Sequence, residues 1–355
     1  MLTFDAHLDL SLNGVEYGRD LRLSIEEIRS NESGMTDLGG RQKSTVCFPE
    51  MRKAGVGLCV ATQLAGCMKP ASPVGSHDTP EQAWQATQRQ LAWYRQMEQL
   101  GELVQLTTWE QVKTQIHCWE ETPETSPIGY ILSLEGTDSL RTLDDLHRAY
   151  EYGLRAIGPA HYGMGRYAPG HDQDSKLSRR GRELLMAMDQ LGMILDVTHL
   201  CEKAFWEALD IYEGPIWASH SNSRAIVDDA RQLNDEQIKA LAERGAVIGM
   251  AFDVWMVVPN WQRGVTTHSD KPEATLENAT VHIDHISQLL GTTDHSGIGT
   301  DLDGGYGYEQ TPFGLSSIAK LENFKIALQN KGYTEECLEG ISSGNYLRLL
   351  HDAWS

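Results

Sequence analysis

The 355-residue sequence predicts an α/β protein of the (β/α)₈ TIM-barrel class, on two observations. Eight short apolar, β-branched-rich runs alternate with longer segments of helical period, the rhythm of repeated βα units around a parallel sheet. Six of those runs close on His, Asp or Glu, and on such barrels chemistry collects at the carboxyl ends of the strands.

The runs are Leu2–Leu8, Gly57–Gln63, Gly129–Leu134, Leu154–Ala160, Met193–Thr198, Pro215–Ser219, Ala246–Phe252 and Gly297–Thr300. Helical periodicity spans Thr79–Leu100, Leu140–Tyr152, Ser178–Leu191, Glu202–Ile211, Asn234–Arg244, Ala279–Leu290 and Ser316–Asn330. Ser178 and Asn234 stand where N-caps are needed, and Gln237, three residues after Asn234, completes a capping-box pattern. Gly192, Gly245 and Gly291 follow three of the helices, where a left-handed residue ends the last turn. The connections after the first, second and seventh strands are long, as pocket-shaping loops on barrels are. No polar linker, low-complexity tract or longer repeat divides the chain, so residues 1–355 are expected to form one domain.

Fifty acidic residues against 30 basic ones give a formal charge of -20, which disfavours nucleic-acid or anionic-membrane partners and favours a small-molecule substrate. The acids are dispersed in short runs, as solvated helix faces are, and carry no substrate preference. The start Met1-Leu2-Thr3-Phe4-Asp5-Ala6-His7 has neither a basic segment nor an apolar core, and no apolar stretch approaches the roughly 20 residues that span a bilayer. A cytoplasmic chain without membrane contact is expected, and a homodimer is allowed. Six cysteines, irregularly spaced and without a C-x-x-C element, read as reduced structural thiols.

Strand 1 closes with His7-Leu8-Asp9, strand 3 with Glu135, strand 4 with His161, strand 5 with His199, strand 6 with His220 and strand 8 with Asp301. In an extended strand, residues two apart project to one face, so His7 and Asp9 can bind one ion together. Singly, each histidine reads as an ordinary surface or core residue. Jointly they read as a metal site, because a core does not tolerate this many unpaired polar groups in one layer. Imidazole and carboxylate ligands without cysteine suit Zn²⁺ or a similar divalent transition ion, and a glutamate can bridge two ions. Such a pair supports a hydroxide at neutral pH and polarises a carbonyl, so an amide or ester is the expected substrate. Asp301 is placed to take the proton of that water and return it to a leaving amine, and His161 stands where an oxyanion is stabilised.

Other polar residues are read more plainly. Asp196 and Asp303 adjoin expected site residues and either orient a ligand or make ordinary hydrogen bonds. His282 and His285 lie on a helix and are read as packing or surface residues. Trp84, Trp93, Trp109 and Trp206 are read as helix-to-barrel packing, and Trp255 and Trp261, in a loop, as candidate pocket walls.

The blocks Phe4-Asp5-Ala6-His7-Leu8-Asp9, Pro49-Glu50-Met51-Arg52-Lys53-Ala54-Gly55-Val56-Gly57, Ser133-Leu134-Glu135-Gly136, Asp196-Val197-Thr198-His199, Ser219-His220-Ser221-Asn222, Gly299-Thr300-Asp301-Leu302-Asp303-Gly304 and Gly344-Asn345-Tyr346-Leu347-Arg348 resemble the renal (membrane) dipeptidase family of the amidohydrolase superfamily, nearly end to end and in order. That resemblance implies a zinc-dependent dipeptidase acting on small dipeptides, including L-Xaa-D-Xaa, with two Zn²⁺ ions. His7 and Asp9 would bind one ion, His199 and His220 the other, and Glu135 would bridge them. Asp301 would shuttle the proton and His161 contact the substrate carbonyl. Arg231, within Asp229-Ala230-Arg231-Gln232-Leu233, would bind the terminal carboxylate of the dipeptide. The chain departs from the family pattern after strand 2, at Leu58-Cys59-Val60-Ala61-Thr62-Gln63, and in the Trp- and Val-rich loop from Met250 to Asp270, both at expected pocket walls. Two readings compete: a binuclear amidohydrolase acting on another small amide or ester, such as an N-acyl amino acid or lactone, and a non-catalytic metal-binding barrel.

Overall fold

A computed structural model describes residues 1–67 and 74–355. Nine parallel strands are described: β1 (Thr3–Leu8), β2 (Val56–Leu64), β3 (Leu103–Gln105), β4 (Ile128–Glu135), β5 (Leu154–Gly158), β6 (Ile194–Asp196), β7 (Ile216–Trp217), β8 (Ile248–Met250) and β9 (Ser296–Ile298). They pair in the order β7-β6-β5-β4-β2-β1-β9-β8. A parallel bridge between Ala218 and Ile248 joins the two ends of that path, with Ala218 N donating to Val247 O at 3.0 Å and Gly249 N to Ala218 O at 2.8 Å. Eight strands therefore close into the barrel, and these are the eight read from the sequence.

The ninth strand was not expected. β3 pairs with the first residues of β4, Leu103 opposite Ile128 and Gln105 opposite Tyr130, below the point where β5 begins to pair at Leu132. Three residues are too short a run to show a period, and β3 exists because the amino half of β4 has a free edge to cover.

The predicted helices are present with ends shifted by a few residues: Pro80–Gln99, Leu143–Glu151, Arg179–Gln190, Glu202–Ile211, Asp235–Glu243, Leu276–Leu290 and Glu322–Asn330. Ser178 accepts from Gly181 N, and Asn234 and Gln237 form a reciprocal capping box. Gly192, Gly245 and Gly291 all adopt positive φ. The sequence reading missed the helix Trp109–Glu121, the short helices Leu10–Val15, Ile25–Asn31 and Phe48–Lys53 of the loop after β1, and the terminal helix Asn345–Trp354. The long loop after β2 was expected to shape a pocket; residues 68–73 of it lie outside the described residues. All six cysteines are free thiols, and among the described residues no helix is long and apolar enough to cross a membrane.

One buried cluster contains a residue from or beside nearly every barrel strand, among them Phe4, Val60, Ile131, Ala156, Ile194, Trp217 and Val247, and so forms the barrel interior. Tyr346, Leu349 and Leu350 of the terminal helix belong to the same cluster, and the Tyr346 ring stacks on Phe4 at 4.8 Å. The terminal helix thus plugs the amino end of the barrel, and the carboxyl end is left for the polar side chains. Glycine makes room for the plug: Gly249 and Gly297 face each other across β8 and β9, and a Cβ on Gly297 would enter the Tyr346 ring. On Gly249 a Cβ would overlap the Ser219 carbonyl oxygen, which is backbone and cannot swing away. Gly249→Ala is accordingly expected to destabilise the fold by about 3 kcal/mol, the upper range for overpacking a rigid core. Thermal denaturation reads this directly, and a melting temperature within 1 or ~2 °C of the parent would refute the close packing described here.

Candidate metal centre

Four of the expected site residues share one local placement. His161, His199, His220 and Asp301 each stand three residues beyond the last residue of their strands, which are Gly158, Asp196, Trp217 and Ile298. Glu135 is the last residue of β4, and Asp9 follows β1 directly. His7 lies inside β1 and reaches the same layer through an irregularity. Asp5 pairs with Cys59 and Leu8 with Ala61, so three steps on β1 oppose two on β2. A bulge of this kind inserts one extra residue and re-aims the side chains after it. The simple alternation expected for His7 and Asp9 is therefore replaced by a bulge followed by a helix start, with the same convergence as the outcome.

Two of these residues hold left-handed backbone, His199 at φ 67° and Asp301 at φ 57°, a conformation that costs a non-glycine residue about 1 kcal/mol or more. Buried aspartates hold the turns. Asp196 Oδ1 accepts from Thr198 N and from Ser219 N, both at 3.0 Å, tying the end of β6 to the end of β7. Asp5 accepts from Thr300 N at 2.8 Å and Thr300 Oγ1 at 2.6 Å, fixing the residue before Asp301 against β1. Asp303 accepts from Ser44 Oγ, Thr45 N, Thr45 Oγ1 and Val46 N and lies 3.3 Å from Arg19 Nη1, pinning the loop after β1 to the loop after β9.

The five expected ligands converge around Glu135. Its Oε2 lies 3.6 Å from His7 Nε2, whereas its Oε1 lies 3.2 Å from His199 Nε2 and 3.4 Å from His220 Nε2. Asp9 Oδ2 and Asp301 Oδ1 are each 3.9 Å from His7 Nε2. Two overlapping triads result, His7 with Asp9 and Glu135, and Glu135 with His199 and His220; a third, His7 with His220 and Asp301, adjoins them. His199 Nε2 and His220 Nε2 approach to 3.2 Å. Ligands on a tetrahedral cation with bonds of about 2.0–2.1 Å stand about 3.3 Å apart, so these spacings fit donors around an ion. The donor chemistry fits too: His7 Nε2, Asp9 Oδ1 and Glu135 Oε1 are buried polar atoms without a hydrogen-bond partner among the described residues.

Outer partners set the imidazole orientations. Ser219 Oγ lies 2.8 Å from His220 Nδ1, and Thr62 Oγ1 lies 3.5 Å from His7 Nδ1. His171, which the sequence reading did not single out, puts its Nδ1 3.2 Å from His199 Nδ1. It sits in the loop after β5, away from any strand end, and no local pattern marks it.

The electrostatics are those of a buried anionic cluster. Burial raises the Glu135 carboxyl well above the usual range, with His7 opposing and Asp9 and Asp301 reinforcing. Asp301 is pushed up to about 6, chiefly by burial. Burial works against a charge on His7, but Glu135 and Asp9 outweigh it and hold the imidazole protonated. His161 is pushed down to about 3 by burial and then by Arg231, so it is neutral at ordinary pH.

Asp9, Glu135, His161, His199, His220 and Asp301 line a cavity of about 520 Å³ together with Arg231, whose side chain the fold buries. Arg231 Nη2 donates to His220 O at 2.9 Å and its Nη1 to Ser221 Oγ at 3.3 Å. Both acceptors are neutral, and among the described residues no carboxylate lies within ion-pair distance of the guanidinium. Trp255 lines the cavity, as expected; Trp261 is buried beside it and donates to Gln310 Oε1. His282 is a buried packing residue bonded to Ser223 N, and His285 pairs with Asp235.

Comparison with known proteins gives one family. A profile described as membrane dipeptidase (peptidase family M19) matches residues 1–354. The dipeptidase tcpJ of Claviceps purpurea is 30% identical over 232 residues, 63% of this chain and 51% of that protein. An uncharacterized protein encoded in the pqqA 5′ region of Klebsiella pneumoniae is 31% identical over 218 residues, 59% of this chain and 76% of its own. The match thus spans about half the length of the former relative and three quarters of the latter. Among solved structures, a dipeptidase AC described as an M19 metallopeptidase superposes with a TM-score of 0.79 at 22% identity, over 100% of this chain and 99% of its own. A metallopeptidase of Rhodobacter sphaeroides, liganded with a phosphinate mimic of the dipeptide L-Ala-D-Ala, superposes with a TM-score of 0.77 at 23% identity, over 100% and 99%.

A centre of this kind is expected to exchange protons for cations. Because the Glu135 carboxyl, raised to about 8, and the protonated His7, raised to about 10, must release protons to bind a cation, divalent cation affinity is expected to rise with pH through about 8 and to fall below it. Adding Zn²⁺ to chelator-treated protein at pH 7.5 is expected to raise the melting temperature, by ~3 kcal/mol of linkage at a hundredfold excess over the dissociation constant. Glu135→Gln is expected to abolish most of that shift, and an unshifted melting curve in the parent would exclude a cation centre here.

Proposed function

The chain belongs to the membrane dipeptidase family, and on that premise we propose that it is a metal-dependent dipeptidase hydrolysing the peptide bond of small dipeptides. Two divalent cations, zinc or a similar transition ion, would be held by His7 and Asp9 on one side and His199 and His220 on the other, with Glu135 between them. When bound, such cations supply Lewis acidity, making a water more acidic and polarising the amide carbonyl.

The chain's own residues do the rest. The observation that carries the reading is Arg231, a buried guanidinium that lines the cavity with only neutral acceptors. A buried cation with no carboxylate in contact is costly even when Asp301 and Glu135 act on it from a distance, and a planar fork fits a carboxylate in two-point contact, so the dipeptide's terminal carboxylate is the natural complement. Anchoring that end limits the substrate to what fits between Arg231 and the cluster, which makes the enzyme an exopeptidase. His161, neutral at working pH, donates an N–H to the amide oxygen as charge develops there. Asp301, with an affinity for protons tuned close to neutrality, accepts the proton of the attacking water on a carboxylate oxygen. The water oxygen bonds to the carbonyl carbon, the C–N bond breaks, and Asp301 returns the proton to the departing amine. The substrate mimic bound by the Rhodobacter fold relative is the reason to include a C-terminal D-residue among the substrates.

Assays of L-Xaa-L-Xaa and L-Xaa-D-Xaa dipeptides on zinc-loaded protein test this directly. Arg231→Met is expected to raise KM at least about tenfold, the loss of a charged hydrogen-bond pair of ~1.5–3 kcal/mol. Asp301→Asn is expected to lower kcat by ~10²–10⁴-fold with metal content unchanged. A dipeptide KM indifferent to Arg231→Met would favour an amidohydrolase of another substrate class. Absence of turnover in the parent would leave a metal-binding barrel.

A further inference from the structure

A second guanidinium lines the same cavity. Arg263, on the loop after β8, borders the central cavity and also the two clefts beside it, so it stands where the cavity meets solvent. Unlike Arg231 it is half-exposed, with 46% of its side chain accessible. Its position is nevertheless fixed. The guanidinium carbon lies 5.4 Å from the Trp255 ring centre and 5.8 Å from that of Tyr306, and its Nη2 pairs with the fully buried Asp253. Among the described residues Asp253 is its only hydrogen-bond acceptor, so one edge of the fork is anchored and the remaining donors are uncommitted.

The carboxylates around the cavity do not answer those donors. Asp9, Glu135 and Asp301 belong to the cluster at the floor. Asp172 Oδ1 accepts from Gly163 N and its Oδ2 from Gln173 Nε2. Arg263 still acts on the reaction centre, since its charge is felt by both Asp301 and His161. A cation stacked on aromatic rings, oriented by a buried carboxylate and offering an open edge to a ligand cavity is built for planar anions.

We propose that Arg263 is a specificity-determining residue that selects dipeptides bearing a second carboxylate, an aspartyl or glutamyl side chain. This rests on the dipeptidase reading: Arg231 takes the terminal carboxylate and Arg263 the side-chain one. The alternative is that Arg263 exists only to neutralise Asp253 and hold its loop.

The test compares acidic dipeptides with their neutral isosteres, Ala-Glu against Ala-Gln and Asp-Ala against Asn-Ala, on zinc-loaded protein. The expected kcat/KM ratio of acidic to neutral is about tenfold or more for one of the pairs, carried mainly by KM. Arg263→Met is expected to bring that ratio to about one, Arg263→Lys to keep part of it, and Arg263→Glu to reverse it towards Ala-Lys. A loop-holding role alone lowers both members of a pair alike and leaves the ratio where it was. A parent ratio below threefold for both pairs, or one that survives Arg263→Met, overturns the proposal; should that variant not fold, the lysine and glutamate variants decide. Calorimetric binding of Ala-Glu and Ala-Gln to the Asp301→Asn protein keeps the two readings separable. If no dipeptide is cleaved, the dipeptidase reading fails, while tighter binding of Ala-Glu that depends on Arg263 still supports the selection and equal binding refutes it.

Discussion

A buried carboxylate shared by three imidazoles is the constraint from which the rest of the architecture follows. Glu135 presents one oxygen to His7 and the other to His199 and His220, in a layer almost without solvent. Taking a carboxylate out of water costs several kcal/mol even after relaxation, and the neighbouring Asp9 and Asp301 add repulsion. A chain that pays for this arrangement needs donors fixed to within a fraction of an ångström. Strand ends of a closed barrel provide that, because each is hydrogen-bonded on both sides and none is a free edge.

Fixing the strand ends is not sufficient, since His161, His199, His220 and Asp301 lie three residues past the ends of their strands. Buried aspartates extend the order outward. Asp196 couples the turns after β6 and β7, Asp5 couples Thr300 to β1, and Asp303 captures Ser44, Thr45 and Val46. Each stands beside a site residue in the sequence, and each spends its acceptors on backbone N–H groups and hydroxyls. The left-handed turns at His199 and Asp301 persist because these contacts over-determine them. The question left open by sequence for Asp196 and Asp303, ligand orientation or ordinary hydrogen bonding, is answered by both: the bonds are ordinary and their effect is to orient.

The barrel and its polar layer were legible because both repeat. Eight apolar runs and a polar residue after six of them form a pattern that chance rarely produces, and the strands, the caps at Ser178 and Asn234 and the convergence of all the expected ligands follow it. Features that occur once were not legible. β3 is three residues long and depends on an edge that exists only after β4 and β5 have paired. The bulge in β1 depends on the register against β2, which the sequence of β1 alone does not contain. The terminal helix was missed, and its place shows only once the barrel is closed, with Tyr346 stacked on Phe4 inside it. His171 meets His199 across 28 residues of chain, by folding and not by spacing.

The same division separates chemistry from selection. Residues proposed to act on the scissile bond sit at strand ends, where the fold repeats and the motif is readable. Arg231 follows them closely, bonded to the backbone of His220, and so is as rigid as the frame. Arg263 belongs to the loop after β8, where it packs against Trp255 and against Tyr306 of the loop after β9 and pairs with the buried Asp253. The pins at Asp5, Asp196 and Asp303 do not run through that loop, whose own ties to the barrel include Asn222 and Gln232, both donating to Met256 O. The Trp- and Val-rich segment from Met250 to Asp270, which carries Arg263, is one of the two places where the sequence is expected to depart from the family pattern, so the proposed selection of an anion and the proposed reaction draw on different parts of the chain.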